Sequence, residues 1–313
     1  MFLVLETTLP VFVLVALGFV AGRTSVLPAA GVASLGAFVI YLALPAVLFL
    51  ALAQDFDHST LDVAVLAAYV GASLALQLTV TWIALRWRRR SLHEAVALGT
   101  GTVHANSALV GLPIGLALFG PGAAVMLAFY VSFEMVVLFP LMTVLAGWRE
   151  RRGNNGLTRH CLQTVVPLAK NPLILAIAAG FLTRQLSITL PQVLETSLLS
   201  LSNACVPVAL LYIGAVLATQ RLSGEGRQLA FIATGKLILH PAAVALVLFA
   251  LPAADPLQAK AAIINAGMPL ATVFPLLAAR CDQGRFWPGA VVVTTLLSFL
   301  TLTVLIKLTG LAS

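Results

Sequence analysis

Apolar residues run almost unbroken along this chain, and the polar residues that interrupt them define its elements. Stretches of about 20 apolar residues, the length that crosses a bilayer as a helix, recur ten times. They centre near Leu14, Leu44, Ala72, Ala108, Met135, Leu175, Pro207, Lys236, Pro269 and Leu297. None shows the apolar/polar alternation of an outer-membrane strand, so the pattern predicts an all-α polytopic membrane protein of ten spanning helices. Two runs carry helix-breaking residues at mid-span. The fourth holds His104-Ala105-Asn106-Ser107-Ala108-Leu109-Val110-Gly111-Leu112-Pro113-Ile114-Gly115, the ninth Asn265-Ala266-Gly267-Met268-Pro269. In hydrocarbon a broken helix is tolerated only where it is buried in protein or lines a cavity. A pair of Gly/Pro-interrupted spans in corresponding halves points to a transporter binding site; two kinks without a site are the plainer alternative.

The halves correspond by arithmetic as well. Pro10, Gly18 and Phe19 of the first run recur as Pro172, Gly180 and Phe181 of the sixth, an offset of 162 residues, and Pro45 recurs at the same offset as Pro207. Gly111 and Pro113 answer Gly267 and Pro269 at an offset of 156. Each repeat holds five spans, an odd number, so the second is predicted to run inverted through the membrane. The expected division is a first repeat over residues 1–147, a linker over 148–160 containing Gly153-Asn154-Asn155-Gly156, and a second repeat over 161–313.

Composition agrees with the membrane reading: 60% of the 313 residues are hydrophobic and 9% charged, against about 25% charged in a soluble domain. The net charge of +7 would suit nucleic acid, but its placement argues against that. Thirteen of the 18 Lys and Arg are arginines that follow odd-numbered runs, such as Arg23, the Arg86-Trp87-Arg88-Arg89-Arg90 cluster, Arg149 and Arg227. The positive-inside rule then puts both termini on the non-cytoplasmic side of the cell membrane, with anionic lipid as a secondary partner. The first run lacks a basic leader and continues to spanning length, so it reads as a helix and not a cleaved signal. Cys161, Cys205 and Cys281 have no metal or redox spacing.

The chain resembles the auxin efflux carrier family. The resemblance rests on Asn106-Ser107-Ala108-Leu109-Val110-Gly111-Leu112-Pro113, Lys170-Asn171-Pro172, Pro207 with Gly214, Lys236 ahead of Pro241, and the segment from Pro269 to Ala278. It implies two inverted five-helix repeats, with the first, second, sixth and seventh helices as a scaffold and the rest as a mobile transport body. The fourth and ninth helices would cross at their breaks beside the substrate. The family's substrates are organic anions, auxin in plants and small carboxylates such as malate or malonate in bacteria. The long cytoplasmic loop of the plant carriers is absent here, and the ninth-span stretch around Asn265 matches them less closely than the fourth.

Polar groups inside the spans are the candidate site. Asn106 offers two donors and an acceptor at mid-depth, and a half-helix starting near Pro113 would turn its positive end toward an anion. Gly111, Pro113, Asn265, Gly267 and Pro269, with the repeat-related Pro45 and Pro207, complete the substrate candidates. Lys236 would attract a carboxylate or neutralise half-helix carbonyls. Glu134, the acid deep in a span, is the candidate proton carrier, or else the ion-pair partner of Lys236. His240, one turn after Lys236 on the same face, and His104 are candidate proton groups or satisfied core histidines. Glu94 reads as interfacial.

The predicted function is secondary active transport of small organic anions, with a proton or sodium ion as coupling partner and no cofactor or bound metal. A second copy of the chain is a further candidate partner. A sodium-coupled carrier of the bile-acid-symporter type is the nearest alternative, and a channel a more distant one, since no repeated filter or charged ring is present. No HExxH, GxSxG or aspartate dyad supports an intramembrane enzyme.

Overall fold

A computed structural model describes residues 2–24, 26–54, 61–87, 89–146, 169–220, 224–251, 254–278 and 286–311. The linker with Gly153–Gly156 and its four arginines, Cys161 and Cys281 lie outside these residues. The described chain is helical throughout. Its helices are α1 (Phe2–Arg23), α2 (Ala29–Ala53), α3 (Val63–Arg86), α4 (Leu92–Gly101), α5 (Ser107–Phe119) and α6, which runs from Ala123–Phe133 through Glu134–Leu138 into Phe139–Ala146. After the linker come α7 (Pro172–Gln185), α8 (Gln192–Thr219), α9 (Gly226–Phe249), α10 (Pro256–Ala266), α11 (Phe274–Ala278) and α12 (Phe286–Leu308). Six of them, α2, α3, α6, α8, α9 and α12, are long and apolar enough to cross a membrane.

The fourth and ninth apolar runs are each divided in two, into α4 and α5 and into α10 and α11. The gaps meet: Ala105 and Leu270 form an antiparallel bridge, the one β pairing among the described residues. Asn106 N–H donates to the Pro269 carbonyl at 2.8 Å, and Ala271 N–H to the His104 carbonyl at 3.4 Å. Leu270 N–H donates to Thr294 Oγ1 of α12 at 3.2 Å. Backbone groups that unwinding would leave bare are thereby paired inside the protein, as a low-dielectric surrounding requires.

The sequence places the break of the fourth span at Gly111–Pro113. The structure places it at Thr102–Asn106, upstream of both residues. Pro113 does not interrupt the helix because the turn before it is widened to i→i+5 bonding. Leu112 N–H reaches the Ser107 carbonyl, and the proline ring escapes the clash it would make in a tight α-turn. The same device precedes three other prolines. Leu44 N–H bonds Val39 O before Pro45, Phe139 N–H bonds Glu134 O before Pro140, and His240 N–H bonds Gly235 O before Pro241. Pro10 and Pro207 sit inside helices without such a turn.

α1 packs along α8, and α2 along α7 and α8. The closest approaches are made at glycine, where a Cβ would strike the neighbouring backbone: Gly18 of α1 lies on the Leu211 carbonyl of α8, and Gly180 of α7 on the Phe49 carbonyl of α2. Both members of the second pair are displaced by 162 residues from the first, the offset read in the sequence. The largest buried cluster joins these helices to α5 and α6.

Candidate functional site

Beside the bridge lies a cavity of about 270 Å³. A water claims about 30 Å³, so the space suits a molecule of several heavy atoms. Its polar lining comes from His104, Asn106, Glu134, Asn171 and Thr272; much of the remainder is aliphatic, from α2, α5, α6 and α11. Asn106 is buried and its Nδ2 has no hydrogen-bond partner. His104 is 1% exposed, with neither ring nitrogen bonded and its ring edge-on to Phe274 at 5.8 Å. Glu134 is 3% exposed and accepts from Ser107 Oγ at 2.6 Å. It is the first residue of a widened turn, and Ser107 is the first of another. The proline-relieving turns therefore position this pair. Asn171 caps α7 by accepting from Leu173 N–H at 2.9 Å.

Lys236, fully buried, does not line the cavity. Its Nζ donates to the carbonyl of Ala266, the last residue of α10, at 2.6 Å and stands 3.2 Å from His240 Nδ1. A cation on the C-terminal carbonyls of a helix complements the dipole there, so Lys236 caps the half-helix at the break. The contact ion pair between Glu134 and Lys236 entertained from sequence is not formed. Glu134 is taken by Ser107 and Lys236 by Ala266, and the ion pair found among the described residues is Arg90–Glu94 at 3.8 Å. Glu94 also closes a capping box with Ser91 at the start of α4.

Asn265 faces away from the cavity: its Nδ2 donates to Tyr69 Oη at 2.9 Å. With Gly111 it lines a second, much smaller space of about 20 Å³ on the far side of the crossing. Gly267 ends α10, and Pro269 contributes its carbonyl to the bridge. Pro45 and Pro207 stand apart from the cavity, although Leu44 and Ile40 of the same turn line it.

Sequence reasoning missed the helix that holds this centre in place. α3 presents Tyr69 to Asn265, Ser73 to His240 Nε2 (2.8 Å) and Gln77 to Thr100 Oγ1 (2.9 Å). It thereby ties α10, α9 and α4 together. The spacing of four residues puts all three polar groups on one stripe of an apolar helix, which is the signal that could have revealed them.

Interrupted helices paired at a partly polar cavity inside a bundle of apolar spans define a multi-pass membrane transport protein. The comparisons agree. Residues 3–306 match the family described as membrane transport protein, which includes the auxin efflux carriers, and the chain belongs to that family. It is also 29% identical over 310 residues to a protein of Rhizobium meliloti (strain 1021) named as a candidate malonate transporter. That similarity covers 96% of this chain and 94% of the relative.

Proposed function

We propose that this protein is a proton-coupled secondary transporter of small dicarboxylates, malonate foremost, working by alternating access. The observation that carries the reading is the cavity at the crossing, where the unpartnered Asn106 amide and the Glu134 carboxyl share one small space. The relative's name supplies the substrate class. A carboxylate ligand and an ionised Glu134 in one cavity repel each other, and a proton on Glu134 removes the conflict. Anion and proton then enter as a pair, which is the basis of coupling.

The architecture we read around it is ten spanning helices in two inverted five-helix repeats. The repeated glycine contacts, Gly18 on Leu211 and Gly180 on Phe49, support this. α1, α2, α7 and α8 form the scaffold, and the broken helices belong to the moving body. The cavity is lined by the middle of α6, from Val131 to Phe139, and by Asn171 and Leu173 at the start of α7, the end that the arginines assign to the cytoplasm. It is the inward-facing half of the path, with the small space beside Asn265 as its closed outward counterpart.

The test is malonate uptake into liposomes containing the purified protein, under an imposed pH gradient or an imposed sodium gradient. Concentrative uptake driven by the pH gradient is expected. Glu134→Gln should still bind malonate while losing the response to pH. Uptake driven by sodium alone would replace the proton by sodium, and no uptake above protein-free liposomes would overturn the dicarboxylate reading.

A further inference from the structure

We infer that His104 is a substrate-recognition residue which, paired with Asn106, selects dicarboxylates over monocarboxylates. The inference rests on the transport reading above and adds a specificity determinant to it.

The argument starts from the backbone. Ala105 is held by the bridge to Leu270: the His104 carbonyl and the Asn106 N–H on either side of it both bond to the opposing segment at 269–271. In extended chain successive side chains alternate, so positions i and i+2 share a face, about 6.6 Å apart at about 3.3 Å per residue. His104 and Asn106 flank the bridged Ala105 as positions i and i+2, and both line the same cavity. The bridge therefore fixes two polar side chains, side by side, at the wall of one small space.

Both are also unsatisfied. Polar atoms buried away from water are nearly always hydrogen-bonded, because leaving one bare forfeits its hydration without replacement. Here the two imidazole nitrogens and the Asn106 Nδ2 are all buried and unpartnered. Elsewhere in the same region such groups are paired: His240 has Ser73 and Lys236, and Asn265 has Tyr69. At this cavity wall, by contrast, the His104 ring and the Asn106 Nδ2 stand open. A neutral imidazole carries one N–H and one bare nitrogen, and the amide carries two N–H groups. Two N–H donors of neutral side chains, several ångströms apart, match a ligand with an acceptor group at each end. A short diacid offers one carboxylate to each. A monocarboxylate reaches one donor and leaves the other buried and bare, which is how a site built for two polar groups rejects a ligand with one.

The test uses purified, monodisperse full-length protein at fixed pH, with radiolabelled malonate binding competed by acetate, propionate and succinate. Wild type should bind malonate and be displaced by acetate or propionate only at far higher concentrations. His104→Leu, which fills similar volume without a nitrogen, should lose roughly tenfold or more in malonate affinity. Its affinity for the monocarboxylates should stay the same, so the selectivity ratio collapses. His104→Gln, which restores an N–H donor, should recover part of the ratio. It also serves as the informative variant if His104→Leu does not yield folded protein. A His104 that only packs against Phe274 would change thermal stability in both variants and leave the malonate-to-acetate ratio at the wild-type value, and that result overturns the inference while transport stands. Wild-type protein that binds no carboxylate at all would remove the transport reading and this inference together.

Discussion

Asn106 shows how backbone and side chain divide the labour at this site. Its N–H, not its amide, holds the bridge to Pro269, and its Nδ2 is left open to the cavity. Asn106→Ala should therefore fold with the crossing intact and bind substrate weakly. A hydrogen bond to a charged group contributes about 1.5–3 kcal/mol, so malonate affinity should fall by at least about tenfold. Wild-type affinity in the purified variant would move the binding site away from the fourth-span break. Asn106, Glu134 and Lys236 are legible in the sequence because a polar group in an apolar run is costly and stands out. Their partners are not legible. That Glu134 takes Ser107, and Lys236 the Ala266 carbonyl, depends on how separate helices are brought together. The same is true of the stripe Tyr69, Ser73 and Gln77.

At the scale of elements, the sequence shows which spans are interrupted but misplaces one interruption. Pro113 marks the fourth span as unusual, yet the widened turn at Ser107–Gly111 absorbs it, and the actual gap is set by pairing with 269–271. Local residues propose a break; a distant backbone decides where it falls. The ends of the helices follow simpler rules. Asp62 caps α3, accepting from the N–H groups of Ala64 (2.8 Å) and Val65 (3.3 Å), and also accepts from Asp255 N–H at the start of α10 (2.7 Å). Gln258 of α10 returns the contact by accepting from Asp62 N–H at 3.0 Å. The Asp255 N–H, with those of Val65 and Ala64, holds the Asp62 carboxyl below its usual pKa against a smaller opposing effect of burial. A depressed carboxyl contributes stability above its unfolded value, about 3.9, and loses it as the pH falls through the lower folded value. Asp62→Ala should thus lower thermal stability at neutral pH by about 1 kcal/mol, the worth of an N-cap. The gap from wild type should narrow as the pH falls below about 4. A gap that stays constant over that range would assign the residue's effect to packing and not to its charge.

For the whole molecule, the offset of 162 residues is the clearest case of three-dimensional information carried in the sequence. It is read from Pro10, Gly18, Phe19 and Pro45 together, and the structure gives Gly18 and Gly180 the same kind of neighbour, Leu211 and Phe49, at the same offset. Orientation is the part that geometry does not supply and charge does. With arginines gathered after odd-numbered runs, a cysteine placed near Ser313 should be labelled by an impermeant thiol reagent on intact cells, and one at Asn154 should not. The reverse result would invert the protein and turn the cavity outward. The bridge at Ala105 and Leu270 has a further consequence, for biosynthesis. One strand-like segment of the crossing is made early and the other more than 160 residues later. Until the later one arrives, the His104 carbonyl and Asn106 N–H lie at mid-span without their partners, a condition that lipid penalises by several kcal/mol per group. The nascent first half thus carries a built-in mark of incompleteness, erased only when the second half inserts, so that a prematurely terminated chain is distinguishable from a finished one by the backbone it leaves exposed.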